Sequence, residues 1–214
     1  MKINTAVGAA LLGLLIGAQA ASASSPVDEG QENQPKTRYE KTYGRALPPV
    51  GYVKFCARNA EDCQPQGGRA APLAMSPERW NLIYQVNTYV NGKVAPVSDA
   101  DLYGEPEYWA YPQDAGDCED YVLLKQRYLE KLGFARSALL ITVVLDEKNE
   151  GHAVLTVATD EGDFILDNRR NEIRRWSDIG YTFLKRQSAR DPRQWVALTD
   201  AKAPAATVAS GTDR

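Results

Sequence analysis

The chain has a single histidine, His152, and three cysteines among 214 residues. A zinc site built from imidazoles and thiolates is therefore poorly supplied, and any catalytic arrangement that needs two histidines has no second one to use. Basic residues are also in the minority. The balance of 25 Lys and Arg against 28 Asp and Glu leaves a net charge of −3, which argues against a nucleic-acid partner. Past the first twenty residues no apolar run is long enough to cross a bilayer, and no segment repeats.

What is present begins with a leader. Lys2 gives a positive start, residues 5–18 are apolar and small, and Ala18-Gln19-Ala20 or Ala21-Ser22-Ala23 offers a small-residue cleavage site. Residues 1–23 read as a secretory signal peptide, so the mature chain is expected to be exported, with no transmembrane segment. Export places it where disulfides persist, and Cys56 and Cys63 can close a small polar loop. That pairing is favoured over two alternatives, a bond from Cys118 to one of them or a metal bound by Cys56 and Cys63. Residues 24–46 are polar, carry Pro26, Gly30 and Pro35, and have too few aliphatics to offset ordering entropy; they read as a flexible lead. The Ala-, Thr- and Ser-rich residues 201–214 read as a disordered tail. Between them, residues 47–200 form one domain, long enough for a single core.

Ser76-Pro77-Glu78 supplies an N-cap, a proline at the first helical position and an acid in the first turn, predicting a helix that runs to about Val90 and breaks at Asn91-Gly92. Residues 94–111 read as a long connection, a length that is often functional. A second helix starts at Cys118 and stops at Gly133, with Cys118, Tyr121, Val122, Tyr128, Leu129 and Leu132 on its inward face. Lys125 intrudes on that face; a stem snorkelling to solvent is favoured over a buried carboxylate partner. Strands are predicted over residues 138–145, 152–159, 163–167, 181–186 and 195–198. Helices first and strands after argue an α+β fold, N-terminal helices packed on an antiparallel β-sheet.

The chemistry centres on Gly116-Asp117-Cys118-Glu119-Asp120-Tyr121. A helix start exposes N–H groups that lower a thiol pKa, and an imidazolium partner lowers it further, so Cys118 is placed as a nucleophile; the competing reading is an inert, buried cysteine. If Thr159 meets Gly162 across a hairpin, Asp167 falls opposite Val154, on the face of His152 and diagonal to it, within reach of an aspartate–imidazole hydrogen bond. Asn168 is the substitute orienter. The backbone N–H of Cys118 suits an oxyanion donor, and a second is expected from residues 109–113: the Trp109 indole, the Gln113 amide or a backbone group.

Trp109, the Gly116-to-Tyr121 motif, Gly151-His152-Ala153-Val154-Leu155 and Leu166-Asp167-Asn168, in this order, resemble the bacterial transglutaminase-like cysteine peptidases. Phe55-Cys56 and Cys63 add to the likeness, which spans roughly residues 47–198. The resemblance implies a papain/transglutaminase-like core and a catalytic triad of Cys118, His152 and Asp167. It further implies a periplasmic endopeptidase whose partners are an exported or surface protein substrate, such as a biofilm adhesin, and a membrane-receptor regulator.

Asp117, Glu119 and Asp120 pose a difficulty, since like charges beside the sulfur raise a thiolate's pKa. The resemblance implies calcium at this point, with Asp117 and Glu119 the closer matches to its ligands and Asp120 a weaker one; otherwise the acids merely cap the helix. Two other functions remain open: amidase or transglutaminase acyl transfer on the same thiol, and a calcium- or protein-binding module without catalysis. The basic run at residues 169–175 reads as a solvated strand edge, with the border of a substrate groove as the sharper alternative.

Overall fold

A computed structural model describes residues 37–65 and 70–200. The expected signal peptide, most of the polar lead and the tail lie outside the described residues. In chain order the elements are β1 (Arg45–Ala46), α1 (Val50–Arg58), α2 (Pro77–Lys93), β2 (Ala95–Pro96), α3 (Asp99–Tyr103), β3 (Ala115–Gly116), α4 (Cys118–Lys131), β4 (Leu139–Leu145), β5 (Gly151–Thr159), β6 (Gly162–Asp167), β7 (Arg170–Arg175), β8 (Thr182–Gln187) and β9 (Trp195–Ala197).

Seven strands make one antiparallel sheet in the order β1-β9-β8-β4-β5-β6-β7, an α+β architecture. Its central strands read as unbroken apolar runs because both faces are covered. Leu139, Ile141, Val143, Ala153, Leu155, Val157 and Leu166 join the core beneath α1, α2 and α4. The opposite side chains Val144, Val154 and Ile165 pack with Ile179, Tyr181 and Phe183. The hairpin register meets the condition set above, with Thr159 opposite Gly162 and Leu155 opposite Leu166.

Several expectations need correction. The Ser76 hydroxyl does cap α2, accepting from Arg79 N–H, but the helix passes through Asn91-Gly92 to Lys93. The Asn91 carboxamide donates to the carbonyls of Asp167 and Arg170, which anchors that last turn on the sheet and outweighs the local breaker. The connection at 94–111 holds β2 and α3. The lead is ordered well before residue 47. Glu40 is buried, its N–H donates to Asp163, its carboxylate accepts from Thr156 and pairs with Arg186 at 3.2 Å, and β1 pairs with β9. On α4, nearly every side chain from Cys118 to Gln126 is buried while Leu132 is exposed, so the inward face is wider at the start of the helix and narrower at its end. Gly133 ends this segment with φ +87°, a left-handed conformation that favours glycine.

Candidate active site

A parallel pairing of β2 with β3 builds the site's first half. Ala95 N–H donates to Asp114 C=O at 2.8 Å and Val97 N–H to Gly116 C=O at 3.1 Å, which brings the start of α3 against the start of α4. Asp99 N–H then donates to Asp117 Oδ2 at 3.3 Å. Two glycines make the approach feasible. A Cβ on Gly116 would lie 2.5 Å from the Asp120 carboxylate, and one on Gly51 of α1 would lie 2.3 Å from the Trp109 ring.

Asp99, Asp117 and Glu119 converge: one oxygen from each lies within 4.8 Å of the others, and all three residues are buried. Asp99 Oδ1, Asp117 Oδ1 and Glu119 Oε1 have no hydrogen-bond partner. Burial first pushes all three pKa values up, with the Asp99 charge next for Asp117, which rises to about 7, the Asp117 charge next for Glu119, and the Glu105 charge adding to the rise of Asp99. Asp120, expected in this group, is not one of the converging oxygens, although its Oδ2 is buried without a partner and burial, then the Asp117 and Asp99 charges, push its pKa to about 9. Its Oδ1 accepts from Ala110 N–H at 2.7 Å and so pins the approach loop. Asp99 is the member that sequence reasoning missed; its only local signal is the Ser98 cap of α3 inside a long connection.

Cys118 opens α4, almost fully buried, and its thiol donates to Glu119 Oε2 at 3.0 Å. The expected helix-start activation is reversed in this state. Burial, the Glu119 charge and the Asp117 charge push the thiol pKa well up, opposed by a hydrogen bond from the backbone N–H of Ala153. That amide belongs to the residue after His152, so the sulfur rests on the strand that carries the imidazole.

His152 and Asp167 form the second half. Nε2 lies 2.9 Å from Asp167 Oδ1, both side chains are inaccessible to solvent, and His152 Nδ1 has no hydrogen-bond partner. Burial alone would raise the Asp167 pKa. The hydrogen bond and charge of His152, then the Arg169 N–H and the Tyr181 hydroxyl, hold it instead well below the carboxylate range. Asn168 is not the orienter; its Oδ1 is buried without a partner.

Other expected residues fall differently. The Trp109 indole donates to Glu107 at 3.0 Å, and Gln113 is exposed, so neither is directed at the thiol as an oxyanion donor. Cys56 and Cys63 are disulfide-bonded, which leaves Cys118 a thiol and removes the metal-ligand alternative for the pair. The basic run is not simply solvated: Arg169 pairs with Asp146 at 2.7 Å, and Arg170 Nε lies 3.3 Å from Asp167. Lys125 does not snorkel. It is fully buried on α4, its Nζ has no hydrogen-bond partner, and burial lowers its pKa to about 7 against the opposing charge of Asp167.

A buried cysteine at a helix start, beside a strand carrying a histidine bonded to an aspartate, is the arrangement of a thiol hydrolase. A family model described as bacterial transglutaminase-like cysteine proteinase matches residues 42–203. The chain belongs to this family of cysteine peptidases. No curated protein matches it. Among solved structures it is similar to calcium-bound LapG of Legionella pneumophila, at 21% identity over 71% of this chain and 90% of that one, with a TM-score of 0.47. It is also similar to EGTA-treated LapG of the same organism, at 23% identity over 72% and 89%, again with a TM-score of 0.47. No helix among the described residues is long and apolar enough to cross a membrane.

Proposed function

We propose that the chain is an exported, periplasmic cysteine endopeptidase that cleaves an exported or surface protein with a triad of Cys118, His152 and Asp167. The domain doing so spans residues 47–200 together with residues 37–46 before it, behind a signal peptide at residues 1–23. One observation carries the reading. The only imidazole in the chain is tied through Nε2 to Asp167, its Nδ1 has no partner, and the Cys118 sulfur sits on the next residue's amide.

In this reading Cys118 attacks the scissile carbonyl as its proton passes to His152 Nδ1. The backbone N–H of Cys118 supports the oxyanion, and the imidazolium returns the proton to the leaving amine. A water then enters, loses its proton to His152 and adds to the thioester; the C–S bond breaks, the acyl group leaves as a carboxylic acid, and the imidazolium returns the proton to the Cys118 sulfur. Asp167 stays ionised and supports the imidazolium throughout.

Calcium fits the residues present, since three buried carboxylates with unpartnered oxygens and no imidazole form a donor set for a hard cation. Asp99, Asp117 and Glu119 would hold it. Bound there, the dication would cancel the charges that hold the thiol pKa up. Asp120 is assigned to the loop.

The test is incubation of the purified protein with a surface-protein extract in calcium. Defined fragments are expected from the wild type and none from Cys118→Ala; identical fragments from both would end the thiol mechanism. A membrane-receptor regulator and an adhesin substrate stay within the proposal, and the new N-termini of those fragments would identify the substrate.

A further inference from the structure

The acceptor positions of Asp167 are filled by donors that leave little choice of direction. Oδ1 lies 2.9 Å from His152 Nε2 and accepts from the Arg169 N–H at 3.0 Å. Oδ2 takes the Tyr181 hydroxyl at 2.8 Å and lies 3.3 Å from Arg170 Nε. Arg170 Nη2 also donates to the Tyr181 oxygen at 2.9 Å.

A guanidinium has five donors and no acceptor, so the Tyr181 oxygen must accept from Arg170, and its one proton is left to point at Asp167. A carboxyl that receives the Arg169 N–H on one oxygen and the Tyr181 hydroxyl beside the Arg170 guanidinium on the other is ionised, whichever way the His152 bond runs. His152 Nε2 must then be the protonated nitrogen, which puts the lone pair of the neutral ring on Nδ1, the atom without a partner. The order of protons thus runs from Arg170 through Tyr181 and Asp167 to the imidazole. Tyr181 also meets the His152 ring edge-on, with centroids 5.7 Å apart at 86°, and Arg170 lies over the Tyr181 ring.

We propose that Tyr181, oriented by Arg170, is a positioning residue for the proteolytic reaction: it fixes Asp167 as an acceptor and so selects the His152 tautomer whose free Nδ1 can take the Cys118 proton. This role rests on the triad assigned above. It also moves Arg170 out of the substrate groove and into the support of the catalytic base.

Both steps can be tested without a known substrate. Because the protein has one histidine, its imidazole 15N signals need no assignment. Because Cys56 and Cys63 are paired, iodoacetamide reports on Cys118 alone. In calcium-containing buffer near neutral pH, the wild type is expected to show the Nε2–H tautomer. Tyr181→Phe, which keeps the ring and loses the hydroxyl, is expected to show a mixture of tautomers and to slow alkylation about tenfold, the scale of one hydrogen bond. A wild type dominated by Nδ1–H, or a Tyr181→Phe protein matching the wild type in both readouts, would overturn the proposal. Should Tyr181→Phe lower the melting temperature, Arg170→Gln must reproduce the tautomer change, and its failure to do so counts equally against the idea. His152→Ala separates the two levels. Alkylation as fast as in the wild type would remove the triad itself, whereas slow alkylation there beside an unaffected Tyr181→Phe would remove only the positioning role.

Discussion

Two groups of buried carboxylates are treated in opposite ways by the same fold. Asp167 is inaccessible to solvent yet fully supplied with donors, and its pKa is held low. Asp99, Asp117 and Glu119 are just as buried, each has an oxygen without a partner, and their pKa values are pushed up. Burial alone therefore does not decide the charge of an acid; the count of donors facing it does. In the proposed function the supplied carboxylate would support a base and the unsupplied ones would hold a cation.

The largest effects should come from neutralising one acid on each side. Asp167→Asn removes an acceptor that four donors need and unsettles the imidazole tautomer, so peptidase activity is expected to fall on the order of 10³–10⁴-fold. Stability should drop as well, by about 1–3 kcal/mol, since buried donors lose a charged acceptor. Asp99→Asn or Asp117→Asn should do the reverse in chelator, raising the melting temperature by relieving repulsion, while removing the stabilisation that calcium gives. For the wild type that stabilisation is about 2.7 kcal/mol at a calcium concentration one hundred times Kd. Thermal melts of the wild type and both kinds of variant, each in calcium and in EGTA, compare the two sites directly. A calcium response that persists in Asp117→Asn would break the comparison.

How much of this was legible in the sequence depended on how far apart the cooperating residues lie. The motif at the start of α4 is a local signal, so the thiol's place could be read directly, whereas the register that brings Asp167 to His152 could be read only as a condition on Thr159 meeting Gly162, which the hairpin meets. Asp99 could not, because it reaches Asp117 only through the pairing of two-residue strands at opposite ends of a long connection. Tyr181 and Arg170 were hidden for a related reason: their bonds to Asp167 cross strands whose side-chain contacts leave no periodic trace. Glu40 sits in a stretch whose composition argues for disorder, and it is ordered by Arg186, Thr156 and Asp163, all more than a hundred residues away.

A pH series sharpens the same contrast with a smaller effect. An acid whose folded pKa is raised favours folding below its unfolded value of about 3.9 and loses that contribution as pH climbs to the folded value. With Asp117 at about 7 and its neighbours shifted the same way, the chelated protein should lose stability between roughly pH 4 and 7. Asp167 has the opposite sign: its contribution is present above the unfolded pKa and is lost only in stronger acid, as pH falls toward its depressed folded value. Glu40, raised by burial to about 7, titrates in the same window as Asp117. The informative quantity is therefore the difference between calcium and EGTA, which leaves Glu40 unchanged. A loss between pH 4 and 7 that is equally steep with and without calcium would assign it to the other raised acids, Glu40, Glu107, Asp120 and Asp163, and not to the cluster.

Lys125 supplies the finest test, since it is the basic counterpart of the unsupplied acids. Its ammonium is buried without a hydrogen bond, and the sole charge acting on it is that of Asp167, which already has donors of its own. A lysine whose folded pKa is depressed to about 7 costs nothing above its unfolded value of about 10.4 and opposes folding increasingly as pH falls below it. Lys125→Met keeps the length and apolar bulk of the side chain. It should raise the melting temperature at pH 7 by a few degrees, in line with the 1–4 kcal/mol seen when buried ionic groups give way to apolar ones. The gain should shrink toward pH 10. A lowered melting temperature at pH 7 would mean that Asp167 needs this ammonium as well, and that its donors are fewer than sufficient.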